Sequence, residues 1–142
     1  MAGGPTLRAL RYGRGSMHRS RLTTVVLDLS AEDFEEGAAF WSAALGRERR
    51  VKSERYEALK GRLGGEGGPF LGLQRGMDDP QGLHLDIETD DVEAEVRRLE
   101  GLGARVKARI RNHVVMRAPG GHSFCVVPVA RGDFDEHATT WP

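Results

Sequence analysis

Two alternating stretches place ionisable side chains together on one face. In Leu83-His84-Leu85-Asp86-Ile87-Glu88 the apolar residues take one side and His84, Asp86 and Glu88 the other. In Thr24-Val25-Val26-Leu27-Asp28-Leu29 the residues Val25, Leu27 and Leu29 alternate with Thr24, Val26 and Asp28. An imidazole titrates near neutrality, so His84 is a candidate general acid or base. Asp28 and Asp86 read as equivalent positions in the two stretches. Two carboxylates brought close would push one pKa up, as acid/base catalysis requires. The plainer alternatives are a histidine hydrogen-bonded to Asp86, Asp28 or backbone, and aspartates at a solvated mouth or paired with an arginine such as Arg117. Cys125 as a nucleophile would need an adjacent base, for which His84 is the candidate. Between Phe124 and Val126 it reads more simply as a small buried apolar residue.

These side chains need strands to aim them. Alternation predicts strands over Leu22–Leu29, Arg47–Ser53, Arg55–Leu63, Phe70–Gln74, Leu83–Glu88, Ala104–Ile110, His113–Arg117 and His122–Val129. The first and fifth are each followed by a helix. Ser30 or Asp33 caps one, which carries Phe34, Ala38, Trp41 and Leu45 on one stripe and stops at Gly46. Asp90 or Asp91 opens the other, with Val92, Val96, Leu99 and Leu102 on its stripe and Gly103 at its end. The Gly64–Gly68 run lacks the Lys-Ser/Thr and helix start of a phosphate loop and reads as a hairpin loop. Gly76 to Pro80 is a linker. Each half is thus strand, helix and three strands. The expected class is α+β, with both helices covering the face of Val25, Leu27, Leu29, Leu83, Leu85 and Ile87. The opposite face would carry Thr24, Asp28, Gln74, His84, Asp86 and Cys125.

The 142 residues suffice for one domain or two small repeats on a shared core. The balance of 21 basic and 21 acidic residues gives no support for a nucleic-acid partner. No apolar run reaches membrane-span length. The single cysteine excludes an internal disulfide, and a reducing cytoplasmic setting is the simplest expectation. Residues 1–21 hold five arginines and no acidic residue. They lack the apolar core of a secretory signal and read as a flexible basic extension, with Met17 a candidate start. Residues 130–142 read as a polar, irregular tail in which Phe134 and Trp141 clip onto the body. His113 and His122, at strand starts near turns, read as surface residues.

The order of elements carries a resemblance. The pieces are Val25-Val26-Leu27-Asp28-Leu29, Ala39-Phe40-Trp41 with Ala44-Leu45-Gly46, His84-Leu85-Asp86 with Asp90-Asp91-Val92, Leu99 to Gly103, and Val115 to Gly121 with Phe124-Cys125. Residues 22–129 resemble the vicinal oxygen chelate superfamily, in particular the small bacterial glyoxalase-like domain proteins of the glyoxalase/bleomycin-resistance group. The resemblance implies two tandem βαβββ modules, over 22–76 and 82–129. Together they would form a curved eight-stranded cup with helices on its convex side, a small ligand in the cup and a homodimer. It also implies four metal-ligand positions, falling on Thr24, Gly72, His84 and Cys125. Only His84 is of the usual ligand type. Gly72 has no side chain, Thr24 is a poor ligand, and His84 with Cys125 falls short of the three protein ligands of common catalytic zinc sites.

The reading is a small-molecule-binding protein without the family's metal centre and with no cofactor. Thr24, Gln74, His84, Cys125 and Arg117 are the candidate ligand contacts. The alternative is a lyase or isomerase acting on a small oxygenated or carbonyl substrate, with His84, Asp86 and Asp28 as its acid/base groups.

Overall fold

The computed structural model describes residues 17–77 and 82–142. The basic segment over 1–16 and most of the linker expected over 76–80 lie outside these residues. Strand β1 (His18–Leu29) is followed by helix α1 (Phe34–Leu45) and strands β2 (Arg49–Val51), β3 (Tyr56–Arg62) and β4 (Phe70–Arg75). The order then repeats as β5 (Leu83–Thr89), α2 (Val92–Gly101), β6 (Arg105–Ile110), β7 (His113–Arg117) and β8 (Ser123–Pro128). The chain closes with a short helix α3 (Phe134–His137) and a strand β9 (Thr139–Trp141).

The expected βαβββ repeat is present, and the class is α+β. The strand order is β2-β3-β4-β1-β5-β8-β7-β6, with β9 pairing β1 to make a ninth strand beyond the expected eight. Both parallel pairs, β1 with β4 and β5 with β8, join strands linked by a helix, as parallel pairing requires. The halves meet where β1 and β5 run antiparallel, with Val25 opposite Leu85.

Each helix covers the outer face of its own half. Phe34 and Ala38 of α1 pack with Leu59, Leu71 and Leu73, and Val25, Leu27, Leu29 and Trp41 join them. Val96 and Leu99 of α2 pack with Val114, Met116, Phe124 and Val126, and Ile87 joins that cluster. Helix α1 ends at Gly46, whose positive φ of 63° lets its N–H turn back to the carbonyl of Ala43. The Asp91 side chain caps α2 by accepting the Ala94 N–H. One expectation fails here. Leu83 and Leu85 are 51% and 38% exposed, because the two helices lie over the flanks and leave the β1–β5 seam uncovered.

Two further expectations change. Strand β1 begins at His18 rather than Leu22, so His18 to Arg21 belong to the sheet and not to an extension. A β-bulge at Thr23 separates Leu22, opposite Ile87, from Thr24, opposite Asp86. The bulge resets the alternation. His18 and Ser20 reach Glu95 of α2, while Arg21 reaches Glu88 on the other face. The tail is also not irregular. The Trp141 indole N–H donates to Ser20 at 2.8 Å, the Arg98 guanidinium lies 3.8 Å over the Trp141 ring, and Phe134 is buried under Arg19 and Arg21.

Candidate functional site

The face opposite the helices opens into a cleft of about 350 Å³. Its lining comes from both halves: Thr23, Thr24, Tyr56 and Gln74 from the first, and His84, Asp86, Glu88, His113, Cys125 and Val127 from the second. The parity of β1, β4, β5 and β8 puts Thr24, Gln74, His84, Asp86 and Cys125 there, as the alternation predicted. The bulge adds Thr23 beside Thr24.

His84 stands at the centre. Its Nδ1 lies 2.8 Å from Oδ2 of Asp28, and its Nε2 lies 3.5 Å from Oδ1 of Asp86. The second distance is an ion-pair contact, too long for a full hydrogen bond. Burial alone would lower the imidazole pKa. The carboxylate of Asp28, then that of Asp86, outweighs it and raises the value to about 9. At neutral pH His84 is therefore an imidazolium that donates to Asp28 and lies in ion-pair contact with Asp86. Of the two roles expected for His84, a ring in that state can give a proton but cannot accept one, and the bond to Asp28 matches the plainer reading of a hydrogen-bonded histidine. Asp28 is buried and does not line the cleft, so it acts on a ligand only through His84.

The carboxylates are not equivalent by symmetry. If the Val25–Leu85 pair marks the local two-fold, Thr24 corresponds to His84, Val26 to Asp86, and Asp28 to Glu88. The ends of β4 and β8 agree, since Phe70 then matches Ser123 and Gly72 matches Cys125. The sequence reading aligned the aspartates because the strand-to-helix links differ in length. Asp28 and Asp86 meet at His84 all the same, one from each half.

Cys125 lines the cleft half-buried, and its thiol is pushed up to about 12 by burial and by the charges of Asp86 and Asp28. A thiol so held is a poor nucleophile. Arg117 is exposed and does not line the cleft, because β7 carries it to the far end of the strand, opposite Ser123. Besides Thr23, the lining includes Tyr56, His113, Pro128, Ala130 and Arg131, none of them expected on this face. Tyr56 lies in a strand read only as charged and part-exposed. His113 was read as a surface residue; it is exposed yet borders the cleft. Arg131 lies in the segment read as an irregular tail.

Tyr56 accounts for Gly72. A Cβ at Gly72 would collide with the Tyr56 hydroxyl, so the space a side chain would fill at that position is taken from the neighbouring strand. Burial raises the phenol pKa, opposed by its hydrogen bond to Thr24. The metal positions implied by the resemblance thus hold a threonine, a glycine covered by a tyrosine hydroxyl, an imidazole and a thiol. Donor atoms of His84, Asp86 and Cys125 do lie within 4.8 Å of one another. The first half, however, puts no carboxylate or imidazole on the cleft lining, its Asp28 lying buried behind His84, and both ring nitrogens of His84 already face carboxylates. Of the four positions that the resemblance implies, only His84 carries the family's usual ligand type.

A profile of the glyoxalase-like domain matches residues 24–127. No curated protein matches the chain. Among solved structures, one described as an NAD-dependent benzaldehyde dehydrogenase from Legionella pneumophila aligns with a TM-score of 0.56 at 13% identity, covering 75% of this chain and 98% of that one. A methylmalonyl-CoA epimerase from Streptomyces coelicolor, in complex with 2-nitronate-propionyl-CoA, aligns with a TM-score of 0.51 at 20% identity, covering 78% and 94%. A Mn(II)-bound glyoxalase from Novosphingobium aromaticivorans aligns with a TM-score of 0.50 at 18% identity, covering 78% of this chain and 38% of that one. At these identities the likeness is one of fold. With its paired βαβββ halves, its cleft between them and a profile match across nearly the whole sheet, the chain belongs to the glyoxalase-like domain family.

Proposed function

We propose that this protein binds a small molecule in the cleft without a metal centre, as a sequestering or sensing member of its family. One observation carries the reading: the cleft is open at about 350 Å³, while the ligand position at Gly72 is covered by the Tyr56 hydroxyl. A cavity of that size with a few convergent polar groups is typical of small-ligand sites. The cleft offers the His84 imidazolium and the Tyr56 phenol as donors, Thr24 and Gln74 as mixed partners, and the apolar wall of Val127 and Pro128. A chelator-treated sample tests it. Heteronuclear NMR screening of a fragment library is expected to find binders that shift resonances of residues 84–86 and 125–127, with affinities unchanged by added zinc or manganese. Binding that appears only with metal would refute it.

Asp86 favours a second reading, a lyase or isomerase. Its Oδ1 is buried without a full hydrogen bond, and the residue lines the cleft beside a protonated imidazole. A carboxylate acceptor next to an imidazolium donor is a pair that can move a proton across a small carbonyl substrate. If substrate profiling yields turnover, Asp86→Asn is expected to abolish it. Turnover that survives both Asp86→Asn and His84→Ala would exclude this version.

A further inference from the structure

We propose that Arg131 makes the cleft selective for small carboxylates, anchoring the anion at the end where the C-terminal segment folds over the sheet; this rests on the small-molecule reading above. The segment is placed by the core. The Val129 N–H donates to the carbonyl of Thr89 at 3.1 Å, and the Ala130 N–H donates to Oε2 of the fully buried Glu88 at 3.1 Å. The other oxygen of Glu88 holds Arg21 at 2.7 Å, and Arg21 in turn holds Asp133 at 2.8 Å. Arg131 is therefore flanked by two fixed points, and it lines the cleft.

What Arg131 lacks is a counter-charge. Its guanidinium stacks 4.0 Å over the ring of Phe70. The other guanidinium on that ring, Arg62 at 4.5 Å, is neutralised by Asp133 at 2.7 Å. Among the described residues Arg131 has no carboxylate within ion-pair distance, and its Nε is buried without an acceptor. Arg21, Arg62 and Arg98, the other part-buried arginines nearby, each hold one. A buried donor without a partner is uncommon, and a planar guanidinium fixed on an aromatic ring is pre-organised for a carboxylate. Towards the other half of the cleft, Asp86 Oδ1 is an acceptor short of a donor. Tyr56, Asp86 and Arg131 line the same cleft. A ligand that meets both needs carries a carboxylate at one end and a hydroxyl or amine donor beyond it, with its apolar part on Val127 and Pro128.

Three matched probes test this on the full chain by calorimetry and NMR: 3-phenyllactate, with both groups; 3-phenylpropionate, with the carboxylate alone; and 3-phenylpropane-1,2-diol, with hydroxyls and no charge. The expected order of affinity is phenyllactate, then phenylpropionate, then the diol. Arg131→Met keeps the stem on Phe70 and is expected to weaken the two acids about tenfold more than the diol, the scale of one charge-assisted hydrogen bond. Arg131→Lys is expected to restore part of the loss. Thermal unfolding of both variants verifies that they fold. If the diol binds as well as the acids, or Arg131→Met weakens all three alike, the carboxylate preference is wrong while the cleft reading stands. If no probe perturbs the cleft resonances, both readings fall.

Discussion

His84 takes its state from the two carboxylates around it, and that state is measurable. Its folded pKa of about 9 exceeds the ordinary 6.5, so the folded protein binds this proton more tightly than the unfolded chain. The resulting stabilisation is fully present below about pH 6.5 and is lost as the pH rises through 9. Urea unfolding at a series of pH values is expected to show wild-type stability falling across that window, and Asp28→Asn is expected to flatten the fall. A wild-type profile flat from pH 6 to 10 would show that the pair does not hold the proton. His84→Ala, which strands Asp28 in a buried site, is expected to cost about 3 kcal/mol. At Gly72 the constraint is steric. Gly72→Ala is expected to destabilise by about 2 kcal/mol, because the new methyl meets the Tyr56 hydroxyl. The cost should shrink when Tyr56→Phe removes the oxygen, which a double-mutant cycle in urea would reveal. The sequence showed His84, Asp86, Thr24, Gln74 and Cys125 as one face, because strand parity is a local property. It also offered His84 bonded to Asp28 or Asp86 as the plainer reading, but not that both would face the ring at once, which depends on the antiparallel register of β1 against β5. Nor could it show Tyr56 over Gly72, which needs the β3–β4 pairing.

At the level of elements, the start of β1 and the C-terminal segment hold each other in place. Strand β9 pairs the first residues of β1, opposing His18 to Trp141, and Phe134 of α3 is 3% exposed beneath the paired arginines. The shared network Glu88–Arg21–Asp133–Arg62 ties the start of α3 to β5 and to β3. The Asp133 carboxyl is held well below the usual range, first by its hydrogen bond to Arg21 and then by that to Arg62. Phe134→Ala is expected to cost about 3 kcal/mol by thermal unfolding, the scale of a large aromatic lost from a buried site. Because α3 also positions Arg131, the same variant is expected to weaken binding of carboxylate probes to the cleft. Unchanged melting would show that the C-terminal segment is not integral to the fold. The docking of Phe134 and Trp141 was legible in residues 130–142, but helix α3 and strand β9 were not, since the segment has too few apolar positions for a periodicity to emerge. The bulge at Thr23 hid the start of β1 in the same way. Reading the alternation from Leu22 onwards leaves His18 and Ser20 without a role, whereas the reset parity brings both to Glu95.

For the whole molecule, the repeat of strand, helix and three strands was readable, since each element has its own period and its own stop at Gly46 or Gly103. The covering of that repeat was only partly readable. Leu83 and Leu85 have the pattern of buried strand residues, yet they sit on the seam between two helices that each serve their own half. The paired halves make a cleft to which both contribute, and family members of this fold are described as epimerases and glyoxalases. In this chain the first half brings hydroxyls and an amide to the cleft, and the second brings two imidazoles, two carboxylates and a thiol. The account's central claim is that such a cleft works without a metal. The direct measurement is the metal content, by elemental mass spectrometry, of protein purified without chelator and then equilibrated with zinc and manganese. The account predicts far less than one ion per chain after desalting. One tightly held ion per chain, lost in His84→Ala, would contradict it.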